Sequence, residues 1–569
     1  MPTIPELVGR AARAYGPRTA VVDGDRRLTF AEVGDRSGRL ANVLAGLTRE
    51  PGARVAILMR NRLEYVECDF AIARAGMVKV PVNPRLSDDE RRYLLDDSGA
   101  DVLITEAAEW PRVAELVAEL DRSPTIVDID AGADGAGVLG GYESMLASAR
   151  PEPVPLTPDP ERLSQLLYTS GTTGRPKGAM LADRCRVTAT LMSTSEEFCA
   201  GPGDGMIHAG PLSHGSGSKV LTFFTRGARS ILLAKFDPAA FFAAVSEHGG
   251  TSTFVVPTMI QMLVEHCRGR GGAGIPGGRD GAGAPGGRDG SGASGGLRNI
   301  TYGGAGISRT TLDAALDTFG PILTQVFGTS EVPHPVTVLR HRDELDPRLA
   351  GSPAVPTGRL VPAASMRLVD GDVLGADGDG AEAPLGDGGQ APSGDGESAG
   401  SAGDHGELWV AGAQVMLGYW GNPVATSEAI VDGWYRTGDV ASVDPTGLIT
   451  IVDRIKDMII SGGLNVYPAE VERVLAEHEG VSDVCVVGVP DERWGEVVAA
   501  AVVTRAGSGL DGLRLGEWCS ERLAGYKKPR ILAVVDDLPK GSTAKVSKRA
   551  VRDLLVQRAD HGGTGTATV

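Results

Sequence analysis

Short apolar runs recur through the first 160 residues with helical patterns between them, and this alternation confines the chain to layered α/β architecture. Arg54-Val55-Ala56-Ile57-Leu58, Val78 to Val82, Val102-Leu103-Ile104-Thr105 and Thr125-Ile126-Val127 read as buried strands, and Tyr65 to Ala75 reads as a helix. Strands that alternate with helices pair in parallel, because each crossover needs a helix's length of chain. Thr29 reads as an N-cap with Glu32 as its reciprocal partner, opening a helix that turns Val33, Leu40, Leu44 and Leu47 toward the interior.

The second organising stretch is Tyr168 to Met180, Y-T-S-G-T-T-G-R-P-K-G-A-M, preceded by a strand-like Leu163 to Tyr168 and followed by apolar Met180-Leu181. Glycines there let backbone N–H groups approach an anion that a Cβ would block. Thr169, Ser170, Thr172 and Thr173 add hydroxyl donors around Gly171 and Gly174, and Lys177 adds a point charge suited to phosphate. The stretch reads as a loop that wraps a polyphosphate. It is not a P-loop, since Arg175-Pro176 separates Gly174 from Lys177.

A chain of 569 residues exceeds one hydrophobic core, so several packed subdomains are expected. The formal charge of −17 argues against a nucleic-acid partner. Six scattered cysteines without C-x-x-C spacing suit a reducing compartment, with neither a disulfide framework nor a zinc site. With no signal peptide or membrane-length apolar run legible, a soluble cytoplasmic protein without an integral membrane segment is expected.

Two segments break the pattern. Residues 269–296 are nearly all Gly, Ala, Arg, Asp, Pro and Ser and repeat Pro-Gly-Gly-Arg-Asp-Gly; residues 370–405 carry nine acidic side chains and no Lys or Arg. Both read as disordered surface insertions. The second would lengthen a hairpin between strands at Met366-Arg367-Leu368-Val369 and Glu407-Leu408-Trp409-Val410. A large region, 1–456, precedes a smaller α+β unit, 457–559, and a frayed tail, 560–569. The smaller unit is expected to hold helices at Ala469 to Glu477 and Leu513 to Leu523, and strands at Val484 to Val489, Val498 to Thr504 and Arg530 to Val535.

The Tyr168–Met180 stretch closely resembles the signature loop of the adenylate-forming superfamily, which includes acyl-CoA synthetases, aryl-CoA ligases, luciferases and peptide-synthetase adenylation domains. The pattern is closest to acyl-CoA synthetases. Further motifs follow in the family order. Tyr302-Gly303-Gly304-Ala305-Gly306 resembles the segment beside adenine and the acyl pocket, which implies a place for Gly304 there. Gln325-Val326-Phe327-Gly328-Thr329-Ser330-Glu331 resembles the aromatic-Gly-x-Thr/Ser-Glu element. It implies that Phe327 stacks on adenine, that Gly328 lies in the nucleotide turn, that Thr329 or Ser330 donates to phosphate, and that Glu331 binds Mg²⁺. Tyr435-Arg436-Thr437-Gly438-Asp439 resembles the ribose-binding element, implying Asp439 and Arg454 at the ribose. Lys456 matches the position about which the smaller domain swings, so that domain is expected to be mobile. The loop of Gly462 and Gly463 would line a thiol tunnel, Lys545 would be the adenylation lysine, and His214 would gate or orient the acid. Lys540, Lys545 and Lys548 together also suit a phosphate-rich ligand, and Tyr526-Lys527-Lys528-Pro529 is a basic turn suited to CoA phosphates.

Three positions depart from the family pattern: Phe327 where Tyr is usual, Ala544 where Gly is usual, and Asp183-Arg184-Cys185 where His-Arg-Asn is frequent. The resemblance implies an α/β enzyme that joins an aromatic or fatty carboxylic acid to CoA through an acyl-adenylate, with ATP, Mg²⁺ and coenzyme A as cofactors. The alternatives are a ligase that loads an acyl-carrier protein, a relative that activates nitrite for diazotisation of an aryl amine, and a non-catalytic nucleotide-binding regulator.

Overall fold

The computed structural model describes residues 1–48, 50, 52–130, 138–139, 141–152, 154–169, 175–269, 296–340, 355–369, 405–461, 464–491, 493–505, 507–541, 546–561 and 566–568. They form two compact units. One holds Met1–Gly351, Leu360–Ser365 and Ala411–Gly433; the other holds Ser352–Arg359, Met366–Val410 and Trp434–Val569.

The first unit contains two large sheets. One is ordered Val138–Leu139, Thr125–Asp128, Val102–Thr105, Arg54–Leu58, Val78–Val82, Leu163–Tyr168, Gly178–Ala182, and all its pairs are parallel except the last. Every residue of Val78–Val82 is buried, as a parallel strand with both faces covered requires. Lys79 in that strand lies 2.8 Å from the Asp69 carboxylate, which also takes Arg186. The other, nine-stranded sheet includes, in this order, Thr337–Arg340, Leu323–Phe327, Asn299–Gly303, Ser252–Val255, Gly205–His208, Arg229–Leu232, Thr19–Asp23 and Arg26–Thr29, with Arg359–Leu360 beside Thr337–Arg340. Thr337–Arg340 pairs antiparallel with Leu323–Phe327 and Thr19–Asp23 antiparallel with Arg26–Thr29, and the pairs between them are parallel. The expected capping box forms: the Glu32 N–H donates to Thr29 Oγ1 and the Thr29 N–H to the Glu32 carboxylate. Val33, Leu40 and Leu44 of the helix it opens are fully buried, and Leu47 packs at the margin of that core.

Ala364–Val369 and His405–Gly412, most of whose residues lie in the second unit, are neighbouring strands of a five-stranded sheet. Residues 370–404, like residues 270–295 of the other insertion, lie outside the described residues. A six-stranded sheet follows, built on Val481–Asp491, Gly495–Thr504 and Ile531–Val535, with helices Pro468–Ala476 and Gly512–Arg522 as expected. The chain is thus mixed α/β with a large N-terminal and a small C-terminal domain. Among the described residues no helix is long and apolar enough to cross a membrane.

Candidate active site

The Gly/Thr-rich loop is the connection of an antiparallel hairpin. Tyr168 pairs with Gly178, and the Thr169 N–H donates to the Lys177 carbonyl at 3.0 Å, which closes the loop's base. Ser170, Gly171, Thr172, Thr173 and Gly174 lie outside the described residues. Helix Asp88–Ser98 braces the stem: the Tyr93 hydroxyl donates to the Pro176 carbonyl at 2.9 Å, and the Tyr168 hydroxyl donates to Asp97 at 2.6 Å. Burial and the Asp97 carboxylate push the Tyr168 hydroxyl up, so it stays a donor.

The segment Met416–Trp420, which no sequence motif marks, runs along the hairpin's second strand. The Leu417 N–H donates to the Met180 carbonyl, the Met180 N–H to the Gly418 carbonyl, and the Trp420 N–H to the Gly178 carbonyl, at 2.8 to 2.9 Å. This pairing fixes Tyr419 between two of the expected site residues. The Lys177 ammonium lies 5.1 Å from the Tyr419 ring centroid, and the Tyr419 hydroxyl donates to Glu331 Oε1 at 2.8 Å. The Met416 N–H holds the Glu331 carbonyl at 2.9 Å. A hydrogen bond to a carboxylate contributes roughly 1.5–3 kcal/mol and a cation over a ring about 0.5–2 kcal/mol, so Tyr419 locks Glu331 more firmly than Lys177. A single buried carboxylate suits Mg²⁺, which takes one or two protein carboxylates and completes its shell with phosphate and water.

Phe327 ends its strand half-buried, its carbonyl held by the Val336 N–H at 2.8 Å. Thr329 closes the turn into Glu331: its hydroxyl accepts from the Val332 N–H and its own N–H donates to the Val332 carbonyl, both at 3.0 Å. Ser330 is half-buried within that turn. A Cβ added at Gly328 would lie 2.6 Å from the Cα of His334. That collision is with backbone, so no rotamer change relieves it. Gly328→Ala is expected to cost about 1–3 kcal/mol of stability and to raise KM for ATP, read by thermal unfolding and initial rates.

His214 stands exposed at the N-cap of helix Gly215–Thr225, with Ser213 Oγ 3.2 Å from its Nδ1. A Cβ at Gly215 would meet the Phe254 ring at 2.8 Å and His334 Nε2 at 3.1 Å. Phe254 and His334 stack with centroids 4.8 Å apart and planes 2° from parallel. Burial, helped by the nearby Lys219 ammonium, keeps His334 neutral. Gly303 is required by close packing, since its Cβ would lie 2.5 Å from the Val326 carbonyl oxygen, and Gly304 takes φ +80° at the exposed turn. His208 is a structural residue: both ring nitrogens are engaged, by Ser216 and by Ser230, and burial lowers it to about 3.

The Asp183-Arg184-Cys185 departure has a structural account. The Asp183 carboxylate accepts the Ile4 N–H at 3.3 Å, Arg184 donates to the carbonyls of Ala413 and Val415, and the Cys185 thiol donates to the Val415 carbonyl at 3.2 Å. Arg184 and Cys185 thus clamp the turn that leads to Tyr419.

In the second unit, Asp439 and Arg454 face each other across paired strands, with Arg454 Nε 2.8 Å from Asp439 Oδ1. The Asp439 N–H donates to Thr437 Oγ1 at 3.0 Å. Gly462, Gly463, Ala544 and Lys545 lie outside the described residues, but the stems that carry them are defined. Ile459–Ser461 pairs with Leu464–Val466, Lys540 bridges Val546, and the Ser547 N–H donates to the Pro539 carbonyl at 2.8 Å. Among the basic residues, Lys540 pairs with Asp537 at 3.0 Å, Lys527 with Glu470 at 2.7 Å, and Lys548 with Asp457 at 3.3 Å.

Residues 8–420 match the family model for AMP-binding enzymes, and residues 470–545 match that for the AMP-binding enzyme C-terminal domain. Among curated proteins, the chain is 37% identical to a feruloyl-CoA synthase from Amycolatopsis over 95% of its own length and 97% of the relative's. It is 32% identical to a medium/long-chain fatty acid–CoA ligase from Mycobacterium tuberculosis, over 96% of its own length and 89% of that protein's. Among solved structures, an o-succinylbenzoate CoA synthetase from Bacillus subtilis in complex with its acyl-adenylate superposes with a TM-score of 0.75 at 26% identity, covering 97% of this chain and 98% of that one.

Proposed function

Because this chain belongs to the AMP-binding enzyme family and is an ATP-dependent ligase that joins an acid to CoA through an acyl-adenylate, we propose that its acid is a planar aryl acid of the hydroxycinnamate kind. The observation that carries this choice is the flat Phe254–His334 pair packed against the start of the His214 helix, a wall shaped for an aromatic ring. The 37% identity to a feruloyl-CoA synthase supports it.

In this reading the acid's carboxylate attacks the α-phosphorus of ATP, releasing pyrophosphate, and the thiol of CoA then displaces AMP from the acyl carbonyl. Positioning and charge neutralisation carry the first step. Lys177 and the Thr169–Gly174 loop hold the phosphates, with Thr329 and Ser330 as further donors. Glu331, oriented by Tyr419, would hold Mg²⁺, which supplies charge neutralisation on the phosphates. Phe327 stacks on adenine beside Gly304 and Gly328. Asp439 accepts from the ribose hydroxyls, and Arg454 orients that carboxylate. His214 orients the acid, and Lys545 donates to the group under attack. The small domain, 457–559, then turns about Lys456 to bring the Gly462-Gly463 loop to the thiol. Six free cysteines suit the reducing cytoplasm in which such a ligase would work.

The test is pyrophosphate release from MgATP with ferulate, benzoate, octanoate and palmitate, each with and without CoA. Ferulate should give the fastest release, accelerated by CoA, with the thioester found by mass. Faster release with octanoate or palmitate would replace the aryl acid with a fatty acid, and indifference to CoA would move the acceptor to a carrier protein. Separately, Asp439→Asn removes the charge that holds Arg454 and should raise KM for ATP by roughly 10-fold, as expected for a weakened charge-assisted contact, with a smaller change in kcat.

A further inference from the structure

Asp453 lies just before the 3-10 turn Ile455–Asp457 that holds the pivot residue Lys456, and its side chain is 4% exposed. Its Oδ2 accepts the Ala469 N–H at 2.9 Å, in the first turn of helix Pro468–Ala476. The Lys548 ammonium, at the start of helix Lys548–His561, is 3.8 Å from Asp453 and 3.3 Å from Asp457. One cation therefore bridges carboxylates on either side of residue 456. Besides the Arg454 N–H, which donates to Oδ1 at 2.7 Å, the contacts of Ala469 and Lys548 to Asp453 come from chain beyond the pivot, whereas Lys548 and Asp457 lie on the same side of it.

We propose that Asp453 and Lys548 are positioning residues forming a latch across residue 456, which favours the arrangement for adenylation and opens when the small domain turns. The proposal rests on the hinge reading above. A turn about residue 456 keeps Lys548 with Asp457 and separates it from Asp453, so the Asp453 contacts differ in strength between the two states and bias their populations. Asp453 directly precedes Arg454, the partner of Asp439, so the latch closes beside the proposed ribose carboxylate. The carboxylates around Lys548 (Glu472, Asp453 and Asp457) outweigh the cost of burying it and keep it charged, and the Cys485 thiol also faces it.

The experiment separates the two half-reactions. Acid-dependent pyrophosphate release reports the first. Transfer to CoA from a supplied acyl-adenylate reports the second, using whichever of ferulate, benzoate, octanoate and palmitate the wild type activates fastest. Lys548→Ala and Asp453→Asn should each slow the first by about 10-fold and leave the second within about 2-fold of wild type, the scale of one lost charge-assisted contact. Lys548→Arg should restore the first to within about 3-fold, since it keeps the charge. Equal loss of both half-reactions in Lys548→Ala and Asp453→Asn, which a merely structural role gives, overturns the latch, and so does no change in either. A wild type inert toward every acid would instead sink the ligase reading, and the latch with it.

Discussion

Lys545→Ala should slow acid-dependent pyrophosphate release by about 100-fold or more, the scale of losing one preorganised donor to developing charge. During attack on the α-phosphorus, negative charge builds on the phosphoryl oxygens and on the departing pyrophosphate. Under the proposed mechanism Lys177 and whatever Glu331 holds would meet part of that charge, and both are tied to Tyr419. The described residues on either side of Lys545 are joined by the Lys540–Val546 bridge and the Ser547-to-Pro539 hydrogen bond. Under the proposed mechanism the Lys545 cation serves the substrate in one half-reaction and is withdrawn in the other. Transfer from a supplied acyl-adenylate to CoA should therefore stay within a few-fold of wild type in the same variant. Unchanged pyrophosphate release would remove Lys545 from the mechanism. An equal loss in both half-reactions would make it a general structural residue.

The parts of the fold legible in the sequence are those in which a local pattern has a local cause. Val78–Val82, Arg54–Leu58, Val102–Thr105 and Leu163–Tyr168 form the strands read from the sequence, because a parallel strand covered on both faces is a continuous apolar run with sharp ends. Helix ends were less sharp: the helix expected from Tyr65 begins at Leu63, since Arg62 gives no side-chain cap to mark it. Glu331 and Asp439 were singled out for a different reason, as members of short motifs that resemble family elements. Tyr419 was not. Its role depends on the Ala179–Tyr419 pairing, which joins distant parts of the chain, and a tyrosine between a glycine and a tryptophan carries no signal of that. Glu197 was hidden by its own context. Ser193-Thr194-Ser195-Glu196-Glu197 reads as a polar turn, yet it folds as a π-helical turn that carries Glu197 inward. Adding one residue per turn is a small local change with no sequence marker, and it decides which of two adjacent glutamates is buried.

That glutamate sets the largest stability effect expected in the molecule. Lys219 and Glu197 are both 0% exposed and share a direct ion pair, with Ser193 donating to the carboxylate and accepting from the ammonium. Burial pushes the Glu197 carboxyl up and the Lys219 ammonium down, and the pairing opposes both shifts. The ammonium also faces the rings of Phe198 and Phe254. Lys219→Met keeps the volume but leaves a buried carboxylate without its cation, which should cost about 3–5 kcal/mol at neutral pH, measured by urea unfolding. The pH dependence has a definite sign. Without Lys219 the folded-state carboxyl titrates still further above its unfolded value of about 4.5, so the native state binds a proton that the unfolded state has lost. The penalty therefore grows as pH rises above that value and shrinks as pH falls toward it, making the variant relatively less impaired at acidic pH. Adding Glu197→Gln to Lys219→Met should recover most of the loss, because no buried charge then remains to be compensated. A single variant as stable as wild type at neutral pH, or a double variant no better than the single, would show that the pair is not what holds this wall. Because Lys219 packs directly behind Phe254, the same single variant should also loosen the Phe254–His334 stack and raise KM for an aryl acid more than KM for ATP.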